Sequence, residues 1–140
     1  MNLQKLQYFP LYKKKHKCFL KEINNKAGVY IIKEDGVIVY IGKSNYNLYR
    51  TLYRHFQYWN DKRLSRTTYI DYISSKEYSC AYILTPDILT TDDLEKKLIF
   101  QEQPRDNKEK YEKYNNEKLM SDQFLESVEE SEEKITEIPF

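Results

Sequence analysis

Cysteine and histidine are scarce in this chain, two of each in 140 residues. Cys18 and Cys80 stand far apart with no CxxC spacing, which excludes a separate structural zinc site of the usual pattern. The two thiols read as reduced packing residues, as expected in a cytoplasmic protein. Glycine occurs three times. Gly42-Lys43-Ser44 has the ending of a P-loop, but position 37, where the earlier glycine should stand, is valine, and that phosphate-binding reading is rejected. No apolar run approaches the length of a membrane span and the first residues lack a hydrophobic signal core, so no membrane partner is expected. Net charge is also small, +1. That average hides an asymmetry: residues 1–115 carry 21 Lys/Arg against 14 Asp/Glu, and residues 116–140 carry 2 against 8. A basic body with an acidic tail suits a polyanionic partner, and equally suits a solvated surface with a trailing acidic segment.

What the chain has in quantity is tyrosine, fourteen of them within an apolar fraction of 40%. Tyrosine fills a core while keeping a polar tip, which suits one modest domain with a wet working face. The stretch Ala27 to Trp59 organises that domain. Val29 to Lys33 and Val37 to Ile41 are rich in β-branched and aromatic residues and read as two strands of a hairpin. A three-residue loop, Glu34-Asp35-Gly36, is expected to join them. That loop sets Lys33 opposite Val37 and Tyr30 directly across from Tyr40, so both phenols lie on one face. Val29, Ile31, Val39 and Ile41 then point to the other. Asn47 is an N-cap candidate for a helix whose stripe is Leu48, Leu52, Phe56 and Trp59, with His55 at its edge and Arg50 and Arg54 one turn apart.

Gly28-Val29-Tyr30, then Tyr40-Ile41-Gly42, then a helix bearing Arg50, Arg54 and His55 resemble the GIY-YIG nuclease family. Leu94-Glu95, Leu98-Ile99 and Pro104-Arg105-Asp106-Asn107 resemble that family's glutamate helix and the proline-to-asparagine segment after it. The likeness runs from Ala27 to Asn107. Each tripeptide alone is a weak signal; the ordered set is a strong one. The resemblance implies an α+β domain with a small three-stranded, largely antiparallel sheet flanked by helices, spanning residues 27–115. Residues 1–26 would be an extension packing on it, and 116–140 an acidic tail more often disordered than packed.

The rest of the chain reads briefly. Tyr8-Phe9-Pro10-Leu11 is extended or a turn, because Pro10 disfavours helix before it. Lys13, Lys14 and Lys15 form a basic run that would lie along a phosphate backbone or simply be solvated. Phe19, Leu20 and Ile23 anchor a short helix. Tyr69 to Ile73 is a short strand or turn, and Ser79 to Leu84 the third strand. Thr91 and Asp92 cap a second amphipathic helix that turns Leu94, Leu98 and Gln101 inward.

The resemblance also implies a chemistry: DNA phosphodiester hydrolysis with one divalent cation, Mg²⁺ or Mn²⁺, held by Glu95, and a tyrosine as general base. As an ordinary exposed helix residue, Glu95 would carry no metal. Tyr30 is the expected base and Tyr40 its partner or a phosphate-positioning hydroxyl. A phenol near its usual pKa of about 10 is rarely ionised at neutral pH, so Lys43 and an arginine are expected close by to lower it. The family's helix arginine falls on Thr51 when counted from the helix start or from His55, and on Arg50 when counted from Gly42. The catalytic set is therefore Tyr30, Tyr40, Lys43, His55 and Arg50 or Arg54, while Lys13, Lys14, Lys15, Lys43, Arg50 and Asn107 would contact DNA. Asn107 would otherwise hold the end of the glutamate helix. The chain has no evident site-choosing module, so it would act alone or with a separate targeting protein. Its rival reading is a DNA-binding module of the same fold without turnover.

Overall fold

The computed structural model describes residues 1–11, 21–56 and 67–108. Lys13, Lys14, Lys15, Cys18, Trp59 and the acidic tail lie outside the described residues. Four strands form one antiparallel sheet: β1 (Phe9–Leu11), β2 (Gly28–Glu34), β3 (Val37–Ser44) and β4 (Tyr78–Leu84), in the order β1-β4-β2-β3. The sequence leads to three. The fourth is the extended Phe9-Pro10-Leu11 segment, which pairs with Tyr78 to Cys80 at the sheet's edge. An edge is where a proline, lacking its N–H, is tolerated in a sheet.

Helix α1 (Leu48–Arg54) lies on one face and α2 (Ile88–Glu102) on the other. Under α1 sit Tyr30, Ile32, Val39, Leu48, Leu52, Tyr69, Tyr78 and Cys80; under α2 sit Leu3, Val29, Ile31, Ile41, Leu98 and Ile99. Leu11 and Ile23 from the N-terminal stretch belong to the α1 layer. Burial pushes the Cys80 thiol well up, so it is an inert packing group. The α1 start is as expected: Asn47 is extended and its side chain accepts from the Arg50 N–H. The start of α2 is not. Asp87 caps it from outside, while Thr91, expected as the cap, is buried inside the helix and gives its hydroxyl to the Asp87 carbonyl at 2.8 Å. Gln101, expected to face inward, is exposed. Residues Ile70–Tyr72 form a 3₁₀ turn.

The hairpin corrects the expected register. Glu34 pairs with Val37, so the loop is the two residues Asp35-Gly36, both with positive φ (49° and 84°) as a type I′ turn requires. Such a loop alone would set the two tyrosines on opposite faces. Val39 is an extra residue in β3, however: Lys33 pairs with Ile38 and Ile32 with Tyr40, with the shift between them. This β-bulge restores the shared face. Tyr30 now lies opposite Gly42, with Tyr40 diagonal to it, and the phenol rings stack at 6.1 Å between centroids. Val39, expected beside Ile41, turns instead to the tyrosine side.

Candidate active site

The two glycines of the tripeptides are there for space. A Cβ on Gly28 would come within 2.2 Å of the Ile83 carbonyl oxygen. One on Gly42 would lie 2.3 Å from the Tyr30 hydroxyl and 2.8 Å from the Tyr40 ring. Gly42 therefore lets the Tyr30 hydroxyl tuck against the β3 backbone.

That hydroxyl meets His55 Nε2 at 2.7 Å. The opposite ring nitrogen, Nδ1, lies 2.8 Å from the Thr67 carbonyl oxygen. A carbonyl only accepts, so Nδ1 carries the proton, Nε2 is the acceptor, and Tyr30 donates. The backbone fixes this orientation further: Tyr69 N–H and the Thr68 hydroxyl both donate to the His55 carbonyl, at 2.6 and 3.0 Å. The Tyr40 ring tilts against the imidazole at 4.6 Å between centroids. Tyr30, Tyr40 and His55 thus form one cluster.

Tyr30 is only 2% exposed. Burial first, then the nearby Tyr40 and Glu95, push its phenol well above the usual range. This reverses the expectation that cations would lower it. Lys43, expected beside the phenols, is ion-paired with Asp92 on α2. Tyr40 is half-buried.

Glu95 lies on α2, is 2% exposed, and is close enough for its charge to act on Tyr30. It is the buried carboxylate among the described residues. No three His, Cys, Asp or Glu side chains converge among those residues. Glu95 would offer a cation a carboxylate oxygen, the kind of ligand that suits Mg²⁺.

Asn107, expected at the DNA or the helix end, has a different place. Its Oδ1 accepts from Ile41 N–H at 2.7 Å and its Nδ2 donates to Ile41 O at 2.8 Å. β3 is an edge strand. The Asn107 amide completes its hydrogen bonding as a neighbouring strand would. The segment before it is pinned by Arg105, whose Nη1 and Nη2 reach the Glu34 carboxylate at 3.1 and 3.3 Å. The Tyr78 hydroxyl donates to the same carboxylate at 2.8 Å.

Arg50 and Arg54, expected one turn apart on α1, lie together. Both line one groove on the outer side of α1, with Asn24, Asn47, Tyr49 and Tyr53. Arg50 is exposed and Arg54 half-buried. Sequence reasoning missed the Thr67 carbonyl, which has no signature because any residue supplies it. It also missed Tyr49 and Tyr53, although their four-residue spacing is legible as a helix-surface pair.

Fold and motif order together are like those of a GIY-YIG domain. No family model and no curated protein matches the chain. Among solved structures it is similar to the GIY-YIG N-terminal endonuclease domain of UvrC from Thermotoga maritima bound to its catalytic divalent cation, magnesium. That comparison has 25% identity and a TM-score of 0.50, covering 69% of this chain and 99% of that one. A point mutant of the same domain, also bound to its catalytic divalent cation, is 26% identical with a TM-score of 0.50, covering 68% of this chain and 97% of that one.

Proposed function

We propose that this protein is a metal-dependent endonuclease that hydrolyses DNA phosphodiester bonds. The observation that carries the reading is the hydrogen-bonded Tyr30–His55 pair with Tyr40 packed against it, and a buried carboxylate, Glu95, near enough for its charge to bear on Tyr30, in the fold of a domain seen with magnesium. Glu95 would hold the cation, which when bound supplies positive charge to the scissile phosphate and to the attacking water.

The chain's own residues divide the remaining work. Tyr30 was the expected base, but its hydroxyl is buried against Gly42 and committed to His55. Its raised pKa favours the protonated form. The half-buried Tyr40 is better disposed to meet water and takes the base role. Tyr30 and His55 hold the ring against which Tyr40 leans, so the base is oriented before substrate arrives. Guanidinium donors for the phosphate come from α1, through Arg54 or Arg50. Substrate DNA would cross the basic body, with Lys13, Lys14 and Lys15 as further phosphate contacts, and the domain would act alone or with a separate targeting protein.

The test is nicking of supercoiled plasmid with Mg²⁺ and with chelator. Wild type nicks only with the metal. Glu95→Gln keeps the side chain's shape and loses its charge, so cleavage falls at least about 100-fold while DNA binding in chelator persists. Equal cleavage by both proteins removes Glu95 from the reading. No cleavage by wild type under any divalent cation leaves a binding module of the same fold.

A further inference from the structure

We propose that Asp92 is a positioning residue: its ion pair holds the Lys43 ammonium in place to receive a DNA phosphate. The proposal rests on a nucleic-acid partner, as read above, but not on turnover.

Lys43 follows Gly42 in β3 and stands two residues after Ile41, so its side chain leaves the sheet on the α2 face. Its backbone is fixed on both sides. Val29 of β2 is its partner in the ladder. The next residue, Ser44, braces the turn into α1, its hydroxyl accepting from the Asn47 N–H at 2.9 Å and the Tyr46 N–H at 3.3 Å. None of this restrains the side chain, because a lysine carries its charge on a flexible four-carbon stem. Asp92 supplies that restraint through its ion pair with the ammonium.

Asp92 is itself well anchored. It lies within α2, beyond the Asp87 cap. Thr91 beside it is buried; its hydroxyl donates to the Asp87 carbonyl at 2.8 Å and accepts from the Thr85 hydroxyl at 2.5 Å. Those bonds tie the start of α2 to the end of β4. Asp92 and Glu95 are three residues apart on α2, the spacing of neighbours on a helix surface. The Lys43 charge is therefore held within about one helical turn of Glu95.

The strength of the pair decides between positioning and concealment. The Lys43 and Asp92 side chains are 33% and 41% exposed. An ion pair this wet shifts an equilibrium by about 5-fold or less, too little to withhold a cation from a polyanion. An ammonium has three N–H donors, so one carboxylate partner leaves donors for a phosphate oxygen. Asp93, the next residue, is exposed and carries the same charge, which makes it the natural control.

Fluorescence anisotropy of a labelled DNA duplex with the full chain, in chelator, tests this as a double-mutant cycle. Lys43→Met is expected to weaken binding and to lower the slope of log affinity against log salt by about one. In an Asp92→Asn background, the fold-loss from Lys43→Met should be smaller by a factor of about 2–12, the ordering cost of one long side chain. Asp93→Asn removes an equal charge and should leave the Lys43→Met loss at its wild-type size. Asp92→Glu keeps the carboxylate and should retain most of that loss. Asp92→Asn conserves shape at a half-exposed position, and its melting curve should match wild type. Three results overturn the proposal. An equal Lys43→Met loss with Asp92 and with Asn at that position makes the ion pair incidental. A larger loss in Asp92→Asn means that Asp92 conceals Lys43 instead. A wild type that binds no DNA removes the nucleic-acid reading and this inference together. The expected coupling in a protein that never nicks keeps this inference and removes the nuclease reading, and a nicking protein without the coupling does the reverse.

Discussion

Replacing Asn107 by alanine isolates one physical device. Both ends of its side-chain amide are spent on a single residue, Ile41, at 2.7 and 2.8 Å. Ile41 is fully buried, and its outward backbone groups face the free side of an edge strand. Asn107→Ala leaves a buried N–H and a buried C=O without partners. Each such group costs about 1–3 kcal/mol, which puts the loss for the two at roughly 2–6 kcal/mol. That is a large share of the 5–15 kcal/mol or so that usually separates folded from unfolded domains. For a domain of this size, about 4–8 °C per kcal/mol translates it into a melting point lowered by at least ~8 °C. Thermal melting by circular dichroism measures the shift, with urea unfolding as the isothermal check. Asn107→Asp sharpens the test. Its carboxylate still accepts from Ile41 N–H but sets a second oxygen against the Ile41 carbonyl, which raises its pKa. Protonation supplies the missing donor, so this variant should recover stability relative to wild type as pH falls through that raised value. The reasoning is refuted if Asn107→Ala melts with the wild type. If DNA affinity drops instead at unchanged stability, Asn107 is a ligand contact and the clamp is incidental.

Three further outcomes follow from the geometry. Gly42→Ala puts a methyl group within 2.3 Å of the Tyr30 hydroxyl; it should cost about 1–3 kcal/mol by overpacking and reduce nicking more than DNA binding, measured by melting and plasmid assays. Arg54→Ala should abolish nicking. Arg50→Ala should mainly weaken binding and reduce the slope of log affinity against log salt by about one; the reverse pattern would make Arg50 the guanidinium that serves the phosphate. The Arg105 hydrogen bonds hold the Glu34 carboxyl below its usual range. A depressed folded pKa stabilises above the unfolded value of about 4.3 and is lost as pH falls through the folded value. Melting points of wild type should therefore drop below about pH 4.3 more steeply than those of Glu34→Gln, and parallel curves would remove Glu34 from the acid response.

Much of the site is written in local chemistry that the sequence carries by itself. Asn47 announces a helix start because a short polar side chain before Leu48 can reach the first free N–H groups. Leu48 and Leu52 announce the buried face by their spacing. The ordered tripeptides, the α1 histidine and the later Glu95 were enough to name a fold that the four-stranded sheet bears out, the added edge strand aside. Other features were beyond local reasoning. Tyr30 and Tyr40 share a face, as expected, yet not through the expected pairing: a shorter loop and the extra residue Val39 cancel. Strand pairing has a period of two, so either change alone would have reversed the face, and only the assembled ladder decides the sum. Thr91 was expected to cap α2, but it is buried within the helix and Asp87, one turn earlier, is the cap. The partners of Tyr30, Lys43 and Asn107 lie 25, 49 and 66 residues away. Charge, protonation and hydrogen bonding at those side chains depend on what the fold brings within a few ångströms, and tertiary structure alone supplies that distance.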